Sequence, residues 1–300
     1  MKILSPNRIA LAAITLFFTI FIFSCKKESS NLSNEQQVTE EEAVVYSEES
    51  TEAEASFDDI QDISMTAADE EGVTSMGKGQ EQARIYLFAA LRLRIGNCAD
   101  ITVTPDDGSY PKTVTIDFGT GCWGLDGKFR KGAIILHFTG PIRQSGSVLT
   151  ITFRDFFLNR AHIEGTKVIS NLSANGNIKF TVQVVGGKVT YPNGRGYQYE
   201  SLKYVHQREG GNTNDVRDDV YAIEGRSKTQ FNNGLTINLN TESALVKKVV
   251  CPWISNGTLK IKINNRVLFL DYSAPNNGDC DNKALLTWNN GNKQRLITLP

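Results

Sequence analysis

The stretch "IKFTVQVVGGKVTYPNGRGYQYESLKYVHQ", residues 178–207, decides the fold class of this chain. It begins with a strict alternation that places four apolar side chains on one face: Ile178, Phe180, Val182 and Val184. Because successive side chains of a strand point to opposite faces, this pattern predicts a sheet with one buried face. Gly186-Gly187 then joins two short predicted strands, and Asn193-Gly194 marks the turn into a third.

The same pattern continues from Cys98 to the end of the chain, in short runs rich in Val, Ile, Thr, Phe and Tyr. Asn-Gly, the pair that fits a two-residue hairpin turn, also occurs at 175–176, 233–234, 256–257, 277–278 and 290–291. No long helical pattern separates the runs, which argues against parallel crossovers. The sequence therefore predicts an all-β fold: an antiparallel up-and-down meander that forms a curved sheet, a half-barrel or a sandwich, with a short N-terminal helical segment.

Charge divides the chain into two parts that the net charge of −1 conceals. Residues 28–71 contain 15 acidic and no basic residues, whereas residues 79–300 contain 27 Lys and Arg against 18 Asp and Glu. A stretch of low hydrophobicity and like charge stays extended. We therefore expect an acidic tether over residues 25–78 and a β-rich globular domain over residues 79–300.

Two segments before the first strand have helical spacing. Phe57, Ile60 and Ile63 can form the apolar face of a short helix within the tether, and residues 79–97 hold a second helical candidate that can also run into the first strand. The tether helix could fold over the basic domain and mask a site there. It could instead belong to a spacer that holds the domain away from a membrane, and the composition favours the spacer.

The N-terminus carries an export signal. Lys2 and Arg8 precede 15 apolar residues, 9–23, which is short for a membrane-spanning helix and typical of a signal peptide, here residues 1–24. The following "IFSC", residues 22–25, resembles a bacterial lipobox. That resemblance implies cleavage before Cys25, a diacylglyceryl thioether on its sulfur, and acylation of the new N-terminus, for example with palmitate. Two or more acyl chains anchor a protein stably.

Four further cysteines predict disulfide bonds, because an even count in an exported chain is typical of a disulfide framework. Residues 98–122 and 251–280 share a pattern of Cys, strands, an Asp-aromatic pair, a turn and a second Cys. We therefore expect the bonds Cys98–Cys122 and Cys251–Cys280. A zinc site is not favoured, because the sequence has no C-x-x-C pair.

Several stretches together resemble a family of uncharacterised β-rich lipoproteins from Bacteroidota. They are "DFGTGCWGLDGKFRKGAI" (117–134), "EGTKVISNL" (164–172), "DDVYAIEG" (218–225), "LVKKVVCPWISNGTLKI" (245–261) and "CDNKALLTWNNGN" (280–292). The resemblance covers about residues 98–300 and implies an all-β body in the cell envelope. It implies no catalytic residue and no cofactor.

The residues themselves carry little catalytic chemistry. The sequence contains no nucleophile, zinc-protease or phosphate-loop motif. Asp155 and Glu164 flank a predicted hairpin and could approach each other as a glycosidase pair, but arginines lie equally near and favour surface ion pairing. We therefore expect no catalytic residues and no cofactor.

A calcium site is also not favoured. Asn277, Asp279 and Asp281 begin with the spacing of an oxygen-ligand loop, but Asn282 stands where the loop needs Gly and Trp288 where it needs Glu. A tight polar turn beside a disulfide explains these residues equally well, and we expect no metal.

A binding face is the remaining candidate site. Tyr197 and Tyr199 would project from one side of their strand, and Tyr204, His206 and Arg208 from the other. Aromatic rings beside cationic groups suit sugar rings or anionic glycans. Ordinary cross-strand packing of the tyrosines is the alternative that we favour.

These observations favour a non-catalytic binding or structural module, tethered by lipid to the outer membrane and facing the periplasm or the cell surface. Its expected partners are the membrane, through the anchor, and a glycan, a lipid or an envelope protein; nucleic acid is a poor fit for an exported lipoprotein. A carrier of hydrophobic ligands is one alternative, with a cavity lined by Ile134, Phe153, Phe157 and Phe180. A glycan-acting enzyme is the other.

Overall fold

The computed structural model describes residues 38–75, 88–211 and 218–299, except for the side chains of residues 69–75. The expected signal peptide, residues 1–24, and Cys25 lie outside these ranges. All the described residues belong to one compact unit, Gln36–Pro300. In this part of the chain, no helix has both the length and the apolar character needed to cross a membrane.

The strands form one antiparallel sheet, which confirms the predicted all-β meander. Each strand pairs with its neighbours in sequence, with one exception: the second strand pairs with the fourth, and the short third strand pairs with another part of the fourth. The sheet is not closed. Its strands are β1 Asp100–Thr104, β2 Lys112–Asp117, β3 Cys122–Trp123, β4 Phe129–Phe138, β5 Val148–Leu158, β6 Ala161–Asn171, β7 Lys179–Thr190, β8 Gly196–Glu209, β9 Val220–Phe231, β10 Thr236–Lys248, β11 Asn256–Ile263, β12 Arg266–Asp271, β13 Lys283–Trp288 and β14 Lys293–Thr298.

Several Asn-Gly pairs form turns between strands, as predicted. Two predicted turns, Gly186-Gly187 and Asn256-Gly257, lie within strands instead. Asn175 and Gly176 both have positive φ, 53° and 78°, between β6 and β7. In contrast, Gly186-Gly187 lies inside β7, and Asn256-Gly257 begins β11, each at a break in register. At Gly187 a Cβ atom would lie 3.0 Å from the Phe57 ring and 2.5 Å from a backbone oxygen. The glycine thus serves close packing inside the sheet.

The acidic segment differs most from its expected form. Instead of a tether with a short helix, Glu40–Ser75 form one helix of 36 residues, α1. Its first turn is capped reciprocally, because the Thr39 hydroxyl accepts from the Glu42 backbone N–H at 3.2 Å and the Glu42 carboxylate accepts from the Thr39 N–H at 2.8 Å. The folded part of the chain therefore begins before residue 79.

The sheet curls around α1. Neighbouring strands lie about 4.8 Å apart, so β4 and β10, six positions apart, would be separated by about 29 Å in a flat sheet. Yet Asp59 lies 3.0 Å from Arg130 on β4, and Asp62, one turn further along α1, lies 3.9 Å from Lys247 on β10. The concave face of the sheet therefore surrounds the helix, and Phe57, Ile60 and Ile63 on α1 are buried in its core.

A second helix, α2, covers Ala89–Ile95, inside the second helical candidate, and buries Leu91 and Ile95. Residues 76–87 lie outside the described ranges. Both predicted disulfides are confirmed. Cys98–Cys122 and Cys251–Cys280 have Cα separations of 5.9 Å and 5.6 Å.

Candidate functional site

The C-terminal half of α1 meets a buried cluster of ion pairs. Arg130 and Asp59 are 1% and 4% exposed and pair at 3.0 Å, and Asp126 lies 2.6 Å from the same guanidinium. Arg94 and Lys128 also reach Asp59, at 2.6 Å and 3.0 Å. Burial alone would raise the pKa of Asp59, but the charges of Arg130, Lys128 and Arg94 hold that pKa below its ordinary value. A carboxylate held in this way stays ionised and joins α1 to the sheet.

A second, partly buried cluster lies along the turn of α1 from Glu54 to Asp58. Lys203 lies 3.1 Å from Glu54 and 3.4 Å from Asp58. Lys167 donates to the Phe57 carbonyl at 2.7 Å. Burial lowers the pKa of Lys167 to about 8, which would suit a nucleophile. However, this side chain is only 2% exposed and lies under the helix, so it is placed to support α1.

The predicted ligand face is divided between the two sides of the sheet. Tyr197 and Tyr199 point inward and are 3% and 1% exposed, and the Tyr199 ring stacks on Phe57 with a centroid distance of 4.9 Å. Tyr204 is 53% exposed on the outer side, with Arg208 exposed and His206 half-buried. The alternation of these residues was predicted correctly, but α1 covers Tyr199.

The residues considered for other functions lie in ordinary structural positions. Glu164 pairs with Lys188 at 2.9 Å, and Asp155 has positive φ, 45°, at a break in register between β5 and its neighbours. Neither arrangement builds a catalytic pair. Of the four residues expected to line a carrier cavity, Ile134 and Phe180 are buried in the core, Phe153 stacks on Phe156, and Phe157 stacks on His162.

The calcium candidate forms a polar turn. Asp281 accepts hydrogen bonds from the Lys283 backbone N–H at 2.6 Å and from the Asn276 side chain at 2.5 Å, and Asn277 and Asp279 are exposed. Among the described residues, no three His, Cys, Asp or Glu side chains are grouped so that they could hold a metal ion.

A cleft of about 800 Å³ lies beside the N-terminal half of α1. It opens between that half of the helix and two turns, one between β7 and β8 and the other between β9 and β10. Its volume falls in the range of small-molecule sites. It is lined by aromatic rings (Tyr46, Tyr191, Tyr197, Phe231), amides (Asn193, Asn232, Asn233), carboxylates (Glu41, Glu42, Glu49, Glu52), Arg195, Val45, Gly194 and Gly196.

The aromatic side chains of the cleft form a connected wall. Tyr46 and Tyr197 contact the Phe231 ring at centroid distances of 4.9 Å and 5.9 Å, and Tyr191 contacts Tyr197 at 6.3 Å. The Asn233 amide donates to the Tyr46 hydroxyl at 2.7 Å and fixes that ring. Flat apolar faces beside amide groups are the combination that binds a polar ring-shaped ligand.

Charged groups at the rim come from the helix. Glu52 accepts a hydrogen bond from the Tyr191 hydroxyl at 3.0 Å, and Glu49 pairs with Arg195. Burial, together with the nearby Glu52 charge, raises the pKa of Tyr191 to about 12, so this hydroxyl stays protonated and donates.

Tyr191, Arg195 and Tyr197 belong to the tyrosine-rich stretch that the sequence singles out, and the cleft brings them together. Six of the fifteen lining residues come from α1, 139 residues earlier in the chain for the contact of Glu52 with Tyr191. The acidic composition of residues 28–71 was the available signal, but it gave no indication of where those carboxylates would lie.

Comparison with known proteins gives no family assignment, because no protein-family model, curated protein or solved structure matches the chain.

Proposed function

We propose that this protein is a lipid-anchored, non-catalytic module of the bacterial cell envelope that binds a saccharide in the cleft between α1 and the β7–β8 and β9–β10 turns. The observation that carries the proposal is the composition of the cleft. Aromatic faces, three amides and several carboxylates converge there, which is the chemistry that packs against sugar rings and hydrogen-bonds their hydroxyl groups.

The proposed location rests on the sequence. The signal peptide of residues 1–24 and the lipobox-like residues before Cys25 favour export and lipidation, and Lys26 is not the Asp associated with inner-membrane retention. The outer membrane is therefore the proposed compartment, with the folded body facing the periplasm or the cell surface. Two disulfides fit an oxidising compartment, and the resemblance to Bacteroidota lipoproteins favours the same assignment.

The two other functions have less support. A carrier of hydrophobic ligands needs an open apolar face inside the curved sheet, whereas α1 occupies that face with Phe57, Ile60 and Ile63. A glycan-cleaving enzyme needs two carboxyl groups free to act as acid and base. In the cleft, Glu42 accepts from the Thr39 N–H, Glu49 pairs with Arg195 and Glu52 accepts from Tyr191, so three of the four carboxylates are engaged without a ligand.

Calorimetric titration tests the binding proposal. The detergent-extracted protein is titrated with three tetrasaccharides: cellotetraose, tetra-N-acetylchitotetraose and fully deacetylated chitotetraose. At least one should bind, and Tyr191→Ala should weaken that binding about fivefold to tenfold because an aromatic face is lost. Tyr204→Ala, which removes an exposed ring from the outer face, is the control and should have no effect. If none of the three sugars binds, the proposed function is wrong.

The intact mass of the membrane-extracted protein tests the anchor separately. The mass should match residues 25–300 plus lipid, and four thiols should become alkylated only after reduction. A protein that retains residues 1–24, or whose four thiols react without reductant, contradicts the proposed compartment.

A further inference from the structure

We propose, on the basis of the proposed saccharide-binding function, that the cleft selects a sugar carrying a protonated amino group, such as a glucosamine oligomer. The sequence pattern pointed towards sugar rings or anionic glycans, because the tyrosines are accompanied by Arg195 and Arg208. The residues that line the cleft indicate a ligand of the opposite charge, a cation.

The charge of the cleft favours a cationic ligand. Four carboxylates and one guanidinium line it, which gives a formal charge of −3 although the β-rich part of the chain is basic. Arg208, the other cation of the tyrosine-rich strand, is exposed on β8 and does not line this cleft. An anionic ligand would therefore meet like charges, and a cationic ligand would meet complementary ones.

The cleft already holds a cation of its own. Arg195 contacts Glu49, yet the Arg195 side chain remains 61% exposed, whereas that of Glu49 is only 21% exposed. An exposed ion pair of this kind contributes little to stability, so a ligand ammonium group can take the place of the guanidinium at little cost. We therefore place the ammonium group of the ligand at the position of the Arg195 guanidinium.

A buried hydroxyl at the cleft lacks a well-aligned partner. Tyr197 lines the cleft and is 3% exposed, and its hydroxyl makes no hydrogen bond of acceptable geometry, although the Tyr191 hydroxyl lies near enough to interact with it. The Glu52 charge also acts on this hydroxyl, so it lies towards the acidic side of the cleft. A buried polar group left unpaired is costly, and a ligand hydroxyl or amino group would satisfy it.

The aromatic wall fits the same ligand. Tyr46, Tyr191 and Phe231 present ring surfaces next to the carboxylates. Aromatic faces attract ammonium groups electrostatically and also pack against the apolar faces of sugar rings. A neutral sugar uses only the packing, whereas an amino sugar uses both interactions.

The test compares deacetylated chitotetraose with tetra-N-acetylchitotetraose at about pH 6, below the pKa of the amino groups. The two probes share one backbone and differ in the charge of the amino positions. We expect the deacetylated probe to bind about tenfold more tightly, and its advantage to shrink when the salt concentration is raised about tenfold.

Three variants locate the charge effect. Glu41→Gln and Glu52→Gln should each weaken binding of the deacetylated probe about twofold to fivefold, while Arg195→Ala should strengthen it by a similar factor, because Glu49 becomes available. Glu224→Gln, on the exposed part of β9, makes the same change in net charge outside the cleft and should have no effect. Circular dichroism confirms that each variant is folded.

The outcomes separate this inference from the function on which it rests. Equal binding of the two probes overturns the selectivity for amino sugars and leaves a saccharide module. The inference is also overturned if Glu224→Gln weakens binding of the deacetylated probe as much as Glu52→Gln does, because the attraction is then not located in the cleft. If neither probe nor cellotetraose binds, both proposals fail.

Discussion

The two halves of α1 are both acidic, but the structure uses them differently. In the half from Glu54 to Ala68, the carboxylates of Glu54 and Asp59 are buried against cations of the sheet, and Ile60 and Ile63 are fully buried. In the half from Glu40 to Glu52, carboxylates face exposed partners at the rim of the cleft. The burial of the partner, and not the acidity of the segment, therefore decides whether a carboxylate supports the fold or is available to a ligand.

The largest expected effect comes from breaking the buried half. Asp59→Ala should lower the free energy of unfolding by about 3–5 kcal/mol, because Arg130 keeps only its contact with Asp126 while Lys128 and Arg94 leave a surplus of positive charge around it. Urea unfolding measures the change. Glu49→Ala, which removes a carboxylate from the other half, should cost less than about 1 kcal/mol. Equal losses would contradict the distinction between the halves.

Truncating the apolar side chains in the two halves of α1 should give the next largest effect. Ile60→Ala should cost about 2–5 kcal/mol, since Ile60 is completely buried and the sheet that surrounds it can collapse only in part. Val45→Ala removes an aliphatic group that is 48% exposed in the N-terminal half, and it should change stability by less than about 0.5 kcal/mol. A comparable loss for both variants, measured by thermal unfolding, would show that α1 packs uniformly.

Alkaline pH should reveal the buried amine beneath the helix. Lys167 is charged in the unfolded chain up to a pKa of about 10.5, whereas burial lowers its pKa in the folded protein to about 8. Between these values the unfolded state binds more protons, so the contribution of Lys167 to stability rises with pH. Relative to Lys167→Met, the wild type should gain about 1–3 kcal/mol from pH 8 to pH 10.

The comparison with Lys167→Met also separates this effect from that of the tyrosines. Burial raises the pKa values of Tyr199 and Tyr272 in both proteins, which lowers their stability above pH 10. Parallel stability curves for the two proteins over this range would show that the Lys167 ammonium group is not destabilised in the folded state.

The smallest effect is expected at the exposed start of α1. Thr39→Ala should cost about 1 kcal/mol, because the helix loses the hydroxyl that accepts from the Glu42 N–H. Ser56→Ala is the control inside the helix, where alanine is the better helix former, and it should not destabilise the protein. If the two changes cost the same, the cap contributes nothing to the N-terminal half.

Much of the fold could be predicted because strand patterning and turn chemistry are local. The alternation around Phe180 and Val182 predicted an inward face correctly, and the repeated Cys patterns predicted both disulfides. Gly186-Gly187 was wrongly interpreted as a turn, because a glycine pair that permits a bulge under Phe57 has the same sequence as one that permits a hairpin. What distinguishes a bulge from a hairpin here is the contact of Gly187 with Phe57, which lies 130 residues earlier in the chain.

The class of sheet, the disulfide pairs and the division of charge were predictable, because each depends on short-range pattern or on composition. The position of the acidic segment, as the long helix α1 inside the sheet, was not. That position depends on Asp59 meeting Arg130, Glu54 meeting Lys203, and Phe57 stacking on Tyr199. Such partners lie far apart in sequence, and their charges are worth burying only once the curled sheet has excluded water and brought them together.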